Sequence, residues 1–473
     1  MHCQEQVSDH KCGLIKGPHF DYMKKLMQID IPKDAKYILD TLSNAGFESY
    51  IVGGCVRDCV LGLKPDDWDI TTNALPSQVK ELFRRTVDTG LQHGTVTVMM
   101  GDTAYEVTTY RTDGDYSDGR HPDNVTFVSS LEEDLKRRDF TINAMAYNES
   151  EGLVDLFDGC ADLKKGVIRC VGNADDRFSE DALRMLRAVR FAAKLGYDLD
   201  PSIYGSIKKH AKDLSKVSAE RITTELTKLL ISDHPEMIKD AYETGLTSVF
   251  FPEFDVAMKT PQNHIHHCFN VGEHIIESVR VSKNDRIVRF AMLLHDIAKP
   301  EVMTIDEKGI THFYSHQTVG EKMAGEILRR WKLDNDTIRR VCRLVKNHDA
   351  GKGREITPAF TRKVVSVMED DFERLLEVIK ADVLAQSLYM REEKLRSVDR
   401  MREQYLTIMK EGDCCMLKDL AVNGRDLMEI GFKPGPALGD VLQKLLESVI
   451  EEPSLNERDI LLKKASSFLK DFS

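Results

Sequence analysis

At 473 residues, with 41% hydrophobic and 30% charged side chains, the chain is long enough for several domains and has the balance of an ordinary globular protein, which excludes disordered and fibrous classes. A net charge of -12 opposes binding to DNA or generic nucleic acid by bulk electrostatics, and no apolar run approaches the roughly 20 residues that span a bilayer. The first twenty residues lack a signal peptide's apolar stretch and the cysteines form no CxxC pair, so a cytoplasmic protein with reduced thiols is expected.

In chain order, residues 1–30 read as a leader. Residues 31–160 read as a mixed unit: strands over Glu48 to Val52, Trp68 to Thr72, Thr95 to Met99 and Tyr105 to Tyr110, with helices between Val56 and Leu61 and from Pro76 to Arg84. From Asp181 the apolar period becomes helical, through Leu183, Leu186, Val189 and Ala193, then Ile222 to Leu230, Val288 to Leu294, Met323 to Trp331 and Val441 to Val449. Breaks at Phe251 to Asn263, Gly351 to Pro358, Lys410 to Cys414 and Lys433 to Gly435 divide the helical part into 161–250, 251–400 and 401–473. The expected fold class is α+β, a mixed-sheet head followed by an all-helical neck, body and tail.

The densest chemistry begins at Ile51-Val-Gly-Gly-Cys-Val-Arg-Asp58 and Asp66-Asp-Trp-Asp-Ile70. On a strand, Asp67 and Asp69 point to one side, where two carboxylates repel unless a divalent cation lies between them. Gly53 and Gly54, directly after a strand, let backbone N–H groups approach a phosphate, and Arg57 adds a charge-assisted contact. Glu106, on another expected strand, supplies the third carboxylate of a metal-assisted phosphoryl transfer; a plain surface strand residue is the alternative.

The ordered set of these runs with Arg137-Arg-Asp-Phe-Thr-Ile-Asn-Ala-Met145, Glu180-Asp-Ala-Leu-Arg-Met-Leu-Arg-Ala-Val-Arg-Phe191, Glu220-Arg-Ile-Thr-Thr-Glu-Leu226 and Gly424-Arg-Asp-Leu-Met-Glu-Ile-Gly-Phe-Lys-Pro-Gly435 resembles class II tRNA nucleotidyltransferases and bacterial poly(A) polymerases. The resemblance implies a polymerase beta-like head that uses Mg2+ on Asp67 and Asp69. It implies nucleotide binding by Gly53, Gly54, Arg57, Arg138, Asp139, Asn143, Asp181, Arg184, Arg187 and Arg190. Three residues apart, Asp181 and Arg184 are expected on one helix face, where acceptor beside donor suits cytosine and adenine and opposes uracil and guanine. The segment Asp115 to Arg120 resembles the flexible loop of CCA-adding members, and the tail resembles one that grips the tRNA elbow. The partners implied are tRNA, CTP and ATP, with addition of C, C and A as the reaction; poly(A), CC-only or A-only addition shares the same motifs.

In the helical part, Leu293-Leu-His-Asp-Ile-Ala-Lys-Pro300, with His267 before it and Asp382 after it, resembles the HD phosphohydrolase superfamily. That resemblance implies a divalent transition metal or Mg2+ on His267, His295, Asp296 and Asp382, with His316 and His348 serving a second ion or a phosphate. A phosphohydrolase using this site as its principal activity is the alternative from another class.

Overall fold

The computed structural model describes residues 28–90, 94–113 and 125–468; the segment Asp115 to Arg120 lies outside them. The chain divides into two units, one running to Leu229 and including Met237–Phe250, the other made of Leu230–Glu236 and the chain from Phe251 onward. Among the described residues no helix is long and apolar enough to cross a membrane.

The first unit opens with helix α1 (Lys33–Asn44), which buries Ala35, Ile38, Leu39 and Leu42 because they recur at helical spacing. Strands β1 (Ser49–Val52), β2 (Ile70–Thr72), β3 (Thr86–Gly90), β4 (Thr95–Met100) and β5 (Thr103–Thr109) follow, with helices α2 (Gly54–Val60) and α3 (Pro76–Leu82) between them. A hairpin of β6 (Arg111–Asp113) and β7 (Val125–Phe127), helix α4 (Leu131–Lys136), then β8 (Met145–Asn148) and β9 (Gly152–Asp155) complete the head. Seven strands form one sheet in the order β3-β4-β5-β2-β1-β8-β9. Its one parallel pair is β2 with β5, in register Ile70 with Val107. Along β5, Tyr105 and Val107 are buried while Ala104 and Glu106 are exposed, the alternation of a half-buried strand.

Two details differ from the sequence expectation. The second strand is shorter than Trp68 to Thr72: it starts at Ile70, and Asp67 and Asp69 lie in the irregular segment before it. The helix expected through Asp181 and Arg184 is broken. Helix α5 (Gly159–Lys165) is followed by α6 (Ala174–Glu180), which ends at Asp181 with φ -142 and ψ 104, and by α7 (Leu183–Leu195). Asp181 therefore sits in a joint between helices, its carboxylate accepting the Leu183 N–H at 3.0 Å, a capping contact that a residue inside a helix does not make. Helices α8 (Pro201–His210) and α9 (Ala219–Leu230) continue the first unit.

The second unit is helical, as the periodicity indicates, apart from a short pairing of Thr304–Ile305 with Thr311–His312. Helices Val271–Val281, Arg286–Leu294, His316–Arg330, Asn335–Asn347 and Phe372–Ala385 bury the histidines discussed below. Toward the C-terminus, Leu427, Val441, Leu445, Val449 and Leu461 form a separate core, built on the amphipathic helix Pro436–Glu451.

Candidate active site

Strand β1 ends at Val52, whose N–H donates to the Asp69 carbonyl at 3.0 Å. The chain then turns at Gly53 (φ 81) into α2. The β1 and β2 pairing thus extends to Asp69, and the β2 and β5 register places Glu106 one step before Val107, beside it. Asp69 carries the consequence: burial raises its carboxyl above the usual 3.8, and the neighbouring charges of Glu106 and Asp67 push the same way against Arg138. Asp69 thus feels the charges of two neighbouring carboxylates and one compensating arginine, an oxygen-donor set of the kind that fits a divalent cation.

Arg138 reaches this edge because Asp134, fully buried on α4, accepts from both arginines that follow it: Arg137 Nη2 at 2.7 Å and Arg138 Nη2 at 3.4 Å. Arg57 is buried, donates to Asn143 Oδ1 at 2.6 Å and pairs with Asp58 at 2.7 Å. Asn143 in turn donates to Asp139 Oδ1 at 3.3 Å, and Arg187 grips Asp139 Oδ2 at 2.6 Å and 2.9 Å. Burial opposes the Asp139 charge, but Arg187 and Arg184 outweigh it and hold the carboxyl down at about 2. Arg190 pairs with buried Glu225 at 2.6 Å. Arg57, Arg187 and Arg190 lie 5.3, 5.5 and 3.6 Å from the centre of the Phe191 ring, so three guanidinium groups gather around one aromatic ring. At the helix joint, Arg221 of α9 donates to Asp181 Oδ2 at 2.7 Å. Arg184 bonds Glu180 and the carbonyls of Arg177 at 3.2 Å and Arg137 at 3.3 Å.

A second cluster lies in the second unit. His274, His295, Asp296 and Asp382 converge, and Asp296 also converges with His316 and His348; every residue is buried. The imidazoles are oriented from behind. His295, His316 and His348 each set Nδ1 against the carbonyl three residues upstream, at 2.7, 2.8 and 2.7 Å. A proton on Nδ1 leaves Nε2 as a bare acceptor facing the cluster. There His316 Nε2 and His348 Nε2 are 3.2 Å apart, as are His274 Nε2 and His295 Nε2. Asp296, 1% exposed, has Lys299 Nζ 2.6 Å from Oδ2, yet neither carboxylate oxygen has a well-directed hydrogen bond. Such donors fit a cation. The first histidine of this set is His274, not the expected His267. His267 stands at the rim, its ring 5.5 Å from that of His274, and burial pushes it down to about 2. The Asn270 and Glu273 capping box starts the helix there and turns the first-turn residue His274 inward.

The family described as Poly A polymerase head domain matches residues 49–169, and tRNA nucleotidyltransferase domain 2 matches residues 303–465. The CCA-adding enzyme of Limosilactobacillus reuteri (strain DSM 20016) is 36% identical over 439 residues, 92% of this chain and 97% of that enzyme. The chain belongs to the CCA-adding enzyme family. The CCA-adding enzyme of Latilactobacillus sakei subsp. sakei (strain 23K) is 38% identical over 91% of this chain and 97% of its own. Among solved structures, that of the Bacillus stearothermophilus CCA-adding enzyme in complex with CTP superposes with a TM-score of 0.66 at 29% identity, covering 93% of this chain and 98% of that one.

In this CCA-adding family member two substitutions probe the head directly. A Cβ on Gly53 would stand 3.0 Å from Arg138 Nη1, at a φ of +81 that side chains rarely adopt. Gly53→Ala is therefore expected to cost about 1–3 kcal/mol of stability and to lower nucleotide incorporation by moving Arg138; melting and turnover assays on one preparation check both. Asp139→Ala leaves Arg187 without its principal partner, and the expected cost is about 3 kcal/mol with a raised KM for each nucleotide. Because the folded Asp139 carboxyl lies at about 2, below the usual 3.8, its stabilising effect is complete above 3.8 and disappears as pH falls through about 2. The melting difference between wild type and variant should thus be constant from pH 5 to 8 and shrink below about pH 4.

Proposed function

We propose that the chain adds C, C and A to the 3' end of tRNA from CTP and ATP, without a nucleic-acid template. The observation that carries this reading is the gathering of Asp67, Asp69 and Glu106 beside Arg138, within the unit that holds the Asp139, Arg187 and Arg190 network. Mg2+ held by Asp67 and Asp69 would supply a Lewis acid for the primer 3'-hydroxyl and the leaving pyrophosphate. Glu106 adds the third carboxylate, available to the metal shell or to the hydroxyl proton. Arg138, kept in place by Asp134, offers its free N–H groups to the triphosphate. Gly54 gives backbone access to it, and the Arg57, Asn143 and Asp139 chain fixes the pocket floor. Asp181 and Arg184 present an acceptor and a donor, the complement of the amino group and ring nitrogen of cytosine and adenine; uracil or guanine would leave both polar groups mismatched. The free cysteines of the described residues fit a cytoplasmic setting.

The test is incubation with tRNA lacking its last three nucleotides, Mg2+ and each labelled nucleoside triphosphate, alone and together. Incorporation of C and then A supports the proposal. Runs of A alone identify a poly(A) polymerase, arrest after CC or after A a partial enzyme, and U or G incorporation equal to C defeats selection by protein side chains.

The buried histidine and aspartate cluster favours a second reading, an HD phosphohydrolase site on a divalent metal. Phosphatase or cyclic phosphodiesterase activity that survives Asp67→Ala and is lost in Asp296→Ala would establish it.

A further inference from the structure

Helix α9 carries two opposite charges one turn apart, Arg221 and Glu225, and both reach residues of α7 or its N-terminal joint. Glu225, 5% exposed, pairs with Arg190 at 2.6 Å and lies 3.8 Å from Arg187. Arg221 pairs with Asp181 at 2.7 Å. The i,i+4 spacing puts both on one face of α9, so a single helix steadies cations on α7 and an anion at its start.

The anion needs that support. Asp181 lies in the joint between α6 and α7 in extended geometry, without a helical turn of its own. Its carboxylate has two partners, the Leu183 N–H on Oδ1 and Arg221 on Oδ2. Remove Arg221 and one contact remains, about which the other oxygen is free to swing. Discrimination against uracil and guanine depends on an acceptor that cannot move away from an incoming carbonyl; a loose carboxylate yields, and the mismatch cost falls.

We propose that Arg221 is a positioning residue for base selection, fixing the Asp181 carboxylate so that carbonyl-bearing bases are refused. This role rests on Asp181 reading the base, as proposed above. The full-length enzyme is assayed on tRNA lacking its last three nucleotides, with kcat and KM for CTP, ATP, UTP and GTP, for wild type, Arg221→Gln, Arg221→Lys and Asp181→Asn. Arg221→Gln is expected to raise the UTP-to-CTP ratio of kcat/KM by about tenfold or more, since a weakened hydrogen-bonding mismatch is worth at least that factor. The KM for tRNA stays within twofold, and Arg221→Lys, which keeps the charge, recovers most of the selectivity. A uniform fall in turnover for all four nucleotides with the ratio unchanged overturns the role and leaves Arg221 a structural ion pair. Should Arg221→Gln fail to fold, Arg221→Met, which keeps the length of the side chain and loses the hydrogen bond, takes its place, and wild-type base ratios in it overturn the role. If Asp181→Asn leaves the ratio at the wild-type value, the base-reading assignment falls and this role with it. If Asp181→Asn shifts the ratio and neither Arg221 variant does, only the role of Arg221 falls.

Discussion

Asp69→Asn is expected to reduce nucleotide addition by on the order of 10^3-fold or more, since on the proposed assignment it removes a charge that would hold the metal at the reacting centre, while the protein becomes more stable. The second half follows from the direction of the Asp69 shift. Its folded carboxyl titrates above 3.8 because burial, Glu106 and Asp67 all disfavour the charge. A carboxylate raised on folding costs stability once the pH exceeds both values and costs nothing well below 3.8. Asn, of similar shape and neutral, escapes that cost at pH 7. Thermal melting without divalent ions should thus place Asp69→Asn above wild type at neutral pH and level with it near pH 3. Saturating Mg2+ should narrow the gap by stabilising wild type more. A variant that loses activity and melts lower would mean that Asp69 is a structural residue, not a charge held in readiness for a cation.

The parts of this site written in local sequence are legible from the order of residues alone. The alternation along β5 is local, with Glu106 exposed between buried Tyr105 and Val107. The spacing of Asp134 to Arg137 and Arg138 is also local, three and four residues on one helical turn, and it accounts for where those arginines point. What escapes is of two kinds. The break at Asp181 has no glycine or proline to announce it, because α7 is set by tertiary contacts that outweigh the helical propensity of Glu180-Asp-Ala-Leu. The pairings of Arg221 with Asp181 and of Glu225 with Arg190 escape because contacts across some 40 residues follow from packing and not from spacing. His267 and His274 show the same limit in the second unit: both lie near the cluster, and only the register of the helix beginning at Val271 decides which faces it.

In the second unit the expected result is a large thermal shift. Asp296 and Asp382 are both held well below 3.8 despite burial, chiefly by His295, Lys299 and His274, and in the reverse direction those carboxylates overcome burial to lift His295 up to about 10. Such a cluster demands positive charge. A proton on His295 supplies part of it, yet cannot at once satisfy the Nε2 pairs of His274 with His295 and of His316 with His348. Mn2+ or Ni2+ at about 100 times its dissociation constant is expected to stabilise the folded state by about 2.7 kcal/mol, which for a unit of this size raises its melting temperature by about 5–10 °C. Asp296→Asn, which removes the residue common to both ligand groups, should abolish the shift. His274→Ala should weaken it, and His267→Ala should leave most of it. Asp67→Asn separates the two candidate sites, because it acts on the head alone and the shift should persist. If Asp296→Asn and wild type respond alike to the metal, the convergence of these side chains is a satisfied polar core and the phosphohydrolase reading goes with it.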